Sequence, residues 1–345
     1  NASDGPPRRH LATASDATTD SQYAVHYMYE QTPPVLLAFW IVGMLCAVVV
    51  VVVSFFNLQR HYVAARACGF GKNELTRSYG PRADRMILLL LVPPVCAGTA
   101  AAQMFLPALE PLMSLVRTCK FAFASYHVVE LLFFLSGSQH DLIANLPQEP
   151  MNIFASLPCC CLVSSCCVVM PQLSHLKWFI FGVKQFSVLL PVSSLLAVYA
   201  AQFHNHDPML VPILSKIIQV IVVVSTLAGN WSYGCLTGLM NHAVEKRLGK
   251  KSNLGSMEQC VKLQMISGKF LDTLLGVVVN MELVAPTWVM PPETFVIIVQ
   301  GFAQCVVQLL LVLYGIKGYK PDEVLYPVPD TATGFPPDAV ALLAL

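Results

Sequence analysis

The stretch from Pro34 to Phe56 is 23 residues long and holds no charged side chain. The core helix of a water-soluble domain needs no such run, whereas about 20 apolar residues carry a helix through a bilayer. Lipid offers the backbone no hydrogen-bonding partner, so a crossing segment must satisfy its own N–H and C=O groups as a helix. The rest of the sequence agrees. Hydrophobic residues make up 55% and charged residues 12%, against about 25% charged in ordinary soluble domains. The aqueous segments left over are too small to hold an enzyme domain. No GxxxxGK(S/T) loop, HExxH or GxSxG motif occurs, so neither enzymatic activity nor a cofactor is expected. The net charge of +1 points to no acidic partner and no nucleic acid.

Hydropathy places spans at about 33–57, 86–108, 112–136, 177–201, 210–239, 261–285 and 293–315. The fold expected is an all-α membrane protein with seven transmembrane helices. Lys and Arg sort the connections into two sets. Arg60, Arg66, Lys72, Arg77, Arg82 and Arg85 follow the first span, Lys246, Arg247, Lys250 and Lys251 the fifth, and Lys317 and Lys320 the seventh. The connections after the second, fourth and sixth spans contain neither residue. Positive charge gathers on the cytoplasmic side, which predicts an outside N-terminus and a cytosolic C-terminus. Residues 1–32 then form a polar, disordered extracellular tail, 33–316 the membrane domain with a cytosolic Cys-rich loop at 137–176, and 317–345 a cytosolic tail. Pro93, Pro94 and Pro191 predict local kinks, and Gly98, Ala100, Ala101 and Ala102 predict close packing of the second helix against a neighbour.

The third span carries Arg117, Lys120, His127 and Glu130. At 100° per residue the first three fall within about 80° and Glu130 about 60° further round. Mid-bilayer charge costs about 3 kcal/mol on insertion scales, so this face is expected to look into the bundle or towards water. The sixth span adds Lys269 and Asp272, three residues apart, and the fourth Lys184 and Gln185. Cations outnumber anions at membrane depth, and staged positive charge suits an amphipathic organic anion. Arg117 and Lys120 are read as a ligand path. For Glu130 and Asp272, pairing that holds helices in register stands level with a path role. His127 is read as a packing residue ahead of a proton relay.

Cys159, Cys160, Cys161, Cys166 and Cys167 crowd one segment of the internal loop. Contiguous cysteines fit zinc spacing poorly, and the cytosol disfavours disulfides. S-palmitoylation beside the membrane is the preferred reading, with an inert interfacial loop or a metal site as the alternatives.

Several of these segments resemble the organic solute transporter alpha and transmembrane protein 184 family. Asp84-Arg85-Met86-Ile87 and Leu91-Val92-Pro93 stand where that family has a Gln-Arg pair and a Met-Val-Pro. Arg117, Cys119, Ala122, Phe123 and Tyr126 are similar to its Arg-x-Cys pattern, with Leu131-Leu132 and Ser136-Gly137 following. Pro158 to Cys161 with Cys166-Cys167 match its poly-cysteine segment, and Phe181 to Phe186 with Pro191 its fourth span; Lys269-Phe270 stands near a family lysine. Phe121 replaces the acidic residue of the transmembrane protein 184 branch, and Lys120 is unusual at its position.

The resemblance implies gradient-driven movement of organic anions such as bile acids and steroid conjugates, in the plasma membrane or an endomembrane. The partners it implies are the small-molecule organic anion, membrane lipid, and a single-span beta subunit or a second copy of the chain. Two other classes share the topology: a heptahelical receptor for an anionic or lipid ligand, and a palmitoylated scaffold or trafficking protein. The third span lacks the Asp/Glu-Arg-Tyr signature of such receptors and the seventh lacks Asn-Pro-x-x-Tyr.

Overall fold

A computed structural model describes residues 34–67, 80–136, 139–147, 150–152, 168–202, 210–248, 255–264, 266–267, 271 and 292–316. These are nearly all helical. The helices are α1 (Pro34–Ala67), α2 (Gly80–Leu90), α3 (Val92–Phe105), α4 (Glu110–Ser136), α5 (Gln139–Ala144), α6 (Leu173–Gln202), α7 (Leu210–Leu248), α8 (255–264) and α9 (Pro292–Gly315). Among the described residues, six helical stretches are long and apolar enough to cross a membrane: Leu36–Val63, Ala83–Phe105, Pro107–Ser136, Leu173–Leu196, Lys216–Lys246 and Thr294–Gly315. They coincide with six of the seven spans expected from hydropathy. Of the remaining one, 261–285, only residues 261–264, 266–267 and 271 are described, all of them helical. The tails at 1–32 and 317–345 and the five clustered cysteines lie outside the described residues. Met151–Asn152 pairs antiparallel with Val168–Val169 on either side of the cysteine-rich segment.

The prolines act in two ways. α2 and α3 form one membrane crossing interrupted at Leu91, where Pro93 and Pro94 follow and remove the N–H groups that would continue the ladder. The Val95 N–H still reaches the Leu91 carbonyl at 3.3 Å, so the two pieces remain linked. At Pro191, by contrast, α6 runs on without a break. α3 ends at Phe105 because Leu106 precedes Pro107 and is extended, φ −129° and ψ 76°. One 3-10 turn, Pro107–Leu109, then feeds directly into α4. The connection is so short that α3 and α4 must lie side by side, antiparallel.

Two apolar cores result. One is built by α2, α4, α5, α6, α7 and α8, and includes Leu131, Leu132, Leu142, Phe186, Tyr233, Leu236 and Met257. The other joins α1, α3 and α9 through Val50, Ala97, Ala100, Met104, Ile298 and Cys305. The base of α3, Val92 and Cys96, belongs to the first. Trp40 on α1 donates its indole N–H to the Met104 carbonyl at 3.1 Å, tying α1 to α3. Around the perimeter, Val48, Val52 and Phe55 on α1, Leu195 on α6 and Val223 on α7 are exposed. That surface suits hydrocarbon and not water.

The small-residue stripe of α3 divides. Ala100 is buried, and its carbonyl comes close to Gly301 of α9. Gly98 departs from the expectation of close packing, since nothing lies within 4 Å of where its Cβ would be. It opens instead, with Ala101, Ala102 and Phe105, onto an apolar groove of about 420 Å³ against Val48, Val51 and Val52 of α1.

Candidate functional site: a polar seam between two apolar cores

Arg117 and Gln103 stand seven residues on either side of Glu110, where α4 begins, so the hairpin brings them level. Arg117 is 4% exposed, and its Nη1 donates to the Gln103 side-chain carbonyl. Gln103 in turn donates to the Ile297 carbonyl at 3.1 Å and to the Gln300 Oε1 at 3.4 Å, both on α9. A guanidinium stays protonated at any physiological pH. Among the described residues no carboxylate stands within ion-pair distance of it. Its charge is therefore solvated by neutral amide oxygen, which stabilises a buried cation less than an ion would. Lys120, half-buried one turn along α4, faces the same part of α3: both cations act electrostatically on Cys96.

Gln300 is the first of three glutamines at four-residue spacing on α9, with Gln304 and Gln308. All three are buried. Successive members turn by about 40°, so the three share one face about 12 Å long. At its far end Gln264 of α8 donates to the Gln308 Oε1 at 3.0 Å, and the Cys260 thiol donates to the Leu311 carbonyl at 3.6 Å. The Arg117–Gln103 bond joins α4 of the first core to α3 of the second, and the Gln264 and Cys260 bonds join α8 of the first to α9 of the second, while the bonds of Gln103 to α9 continue the polar line inside the second. The two halves of the bundle meet along a polar seam.

A second charged cluster lies about 20 Å further along α4. Glu130 is 7% exposed and pairs with Arg85 of α2: Nε to Oε2 is 2.6 Å, and Nη2 donates to Oε1 at 3.3 Å. His127 Nδ1 lies 3.1 Å from the same Oε2, and both Tyr126 and, on α6, Lys184 stand within the field of the carboxylate. Gln185 is half-buried beside Lys184. Glu130, His127 and Lys184 are thus brought together, apart from Arg117 and Lys120. Lys269 and Asp272 lie outside the described residues. Near the end of α7, a third polar group joins Glu258 of α8 to Thr237 and Asn241.

With the geometry in place, one comparison decides the family. The family model described as organic solute transporter Ostalpha matches residues 39–323. The chain belongs to the organic solute transporter alpha family. Membership places it in a family of membrane solute transporters, not of enzymes, and accords with an integral, multi-pass protein. No curated protein and no solved structure matches the chain.

Reading the charges of this transporter from its sequence misses Gln103, Gln264, the α9 glutamines, Glu258 and the pairing role of Arg85. The α9 repeat was the available signal: three amides on one face of an apolar helix in which Glu293, in the first turn, is the single charged residue. Gln103 carried no such signal, because its importance comes from the hairpin that sets it opposite Arg117.

Proposed function

We propose that this transporter moves amphipathic organic anions, such as bile acids and steroid conjugates, down their gradient, with Arg117 binding the anionic head. The observation that carries the reading is a buried guanidinium, at membrane depth, whose hydrogen-bonding partner among the described residues is an amide and not a carboxylate. An incoming carboxylate or sulfate supplies the counter-charge, and with it the stronger, charge-assisted hydrogen bonds. Lys120 adds to the attraction from the next turn. The Arg85–Glu130 pair carries its own counter-ion and serves chiefly to hold α2 against α4.

In the same reading the chain crosses the membrane seven times, with its N-terminus outside; the crossing at 261–285 brings Lys269 and Asp272 to the path. Acyl chains on Cys159, Cys160, Cys161, Cys166 and Cys167 fix the internal loop to the bilayer. A single-span subunit or a second copy of the chain completes the assembly.

The test is uptake of a labelled steroid sulfate into proteoliposomes holding the purified chain, without ATP. A charge-assisted hydrogen bond contributes about 1.5–3 kcal/mol, so Arg117→Gln is expected to lower flux by about 10- to 150-fold, and Arg117→Lys by less. Unchanged flux in a folded Arg117→Gln protein overturns the assignment of Arg117. Saturable binding without flux by the wild type favours a receptor.

A further inference from the structure

We propose that Gln304 and Gln308 form a second, uncharged binding site along the seam, which takes hydroxyl or carbonyl groups on the body of the transported anion. The proposal rests on the reading of Arg117 as the site of the anionic head.

Two unpartnered atoms support it. Gln304 is 2% exposed and its Oε1 has no hydrogen-bond partner; Gln308 is fully buried and its Nε2 has none. Amides serving only to bind helix to helix are expected to pair fully, because a buried polar atom without a partner is destabilising. Here the pairing is incomplete, and one acceptor and one donor remain on the face that leads away from Gln103 and Arg117. A free acceptor suits a hydroxyl donor, and a free donor suits a carbonyl or hydroxyl oxygen. From Thr294 to Gly315 α9 carries no Lys, Arg, Asp or Glu, so this face offers no second charge and no counter-ion. It distinguishes solutes by their neutral polar groups.

The position suits passage as well. Amide contacts across helices in a membrane are weak individually, so the two halves separate more readily along this seam than either apolar core comes apart. A solute held by its head at Arg117 would lay its body along Gln300, Gln304 and Gln308, over about 12 Å.

The experiment uses two labelled steroid sulfates identical except for one ring hydroxyl distant from the sulfate, and the full chain in proteoliposomes. The wild type is expected to carry the hydroxylated solute in preference, by about two- to tenfold, as one net hydrogen bond allows. In Gln304→Met with Gln308→Met, which keeps the volume and removes the amides, the ratio of the two fluxes is expected to fall towards one. An equal fall for both solutes, an unchanged ratio, or a wild type without preference overturns the proposal. A wild type that carries neither solute overturns the anion reading itself. Should the methionine protein fail to fold, Gln304→Asn and Gln308→Asn, which withdraw each amide by one methylene, must shift the ratio in the same direction.

Discussion

Met104, fully buried on α3, is wedged between two glycines, and the surroundings of those glycines predict opposite tolerances. A Cβ at Gly43 of α1 would lie 2.7 Å from the Met104 Cε and 3.1 Å from its Sδ, the far end of a flexible side chain. A Cβ at Gly301 of α9 would lie 2.5 Å from the Met104 Cγ and 2.8 Å from the Ala100 carbonyl oxygen. The carbonyl belongs to the helix and cannot rotate away. Ordinary contact begins near 3.4 Å, so α3 must withdraw from α9 by about 0.6 Å. Overpacking of this kind costs about 1–3 kcal/mol, whereas Gly43→Ala is expected to cost less than about 1 kcal/mol because Met adapts to irregular space. The assay is denaturant unfolding of purified protein in micelles, followed by tryptophan fluorescence. A Met104→Ala background separates the two obstacles. Met104→Ala itself costs about 2–5 kcal/mol; within it Gly43→Ala is expected to be neutral or stabilising. Gly301→Ala should remain destabilising, since the Ala100 carbonyl is still there. If Gly301→Ala becomes neutral in that background, the close backbone approach of α3 and α9 is not what limits the site. Gln103 lies three residues beyond Ala100, so the same displacement is expected to weaken its bonds to Ile297 and Gln300 and to lower flux.

Glu130→Met is expected to cost about 3 kcal/mol, near the lower end for a broken buried pair because the Arg85 side chain is 30% exposed. The double variant Arg85→Met with Glu130→Met should be more stable than Glu130→Met alone, and a double variant that is worse would show that the pair does not act as one unit. Replacing the five clustered cysteines by Ala is expected to abolish acyl-biotin exchange labelling of the chain; persistence of the label would place acylation elsewhere and remove the proposed anchor.

Element positions were largely legible in the sequence, and partners were not. α1 and α9 followed from apolar length alone, because a backbone in lipid must be helical whatever its neighbours are. The break at Leu91 followed from Pro93 and Pro94, yet Pro191 produced no break in α6, and membrane helices do tolerate proline. Glu130 was readable as a residue that must avoid lipid. That it meets Arg85, 45 residues earlier and seemingly part of a basic connection, was not.

The sequence by itself determined that the chain is helical and embedded in a membrane, and which helix faces carry charge, because those properties depend on each residue's own transfer from water to lipid. The tertiary structure alone decided that the helices divide into two apolar cores, that Arg117 rests on Gln103, and that Gln103 reaches Gln300 across 197 positions of sequence. Inside a bilayer apolar surface gains little by choosing protein over lipid, so hydrophobicity cannot say which faces meet. Shape and hydrogen bonding settle that choice, and both depend on residues far apart in the chain.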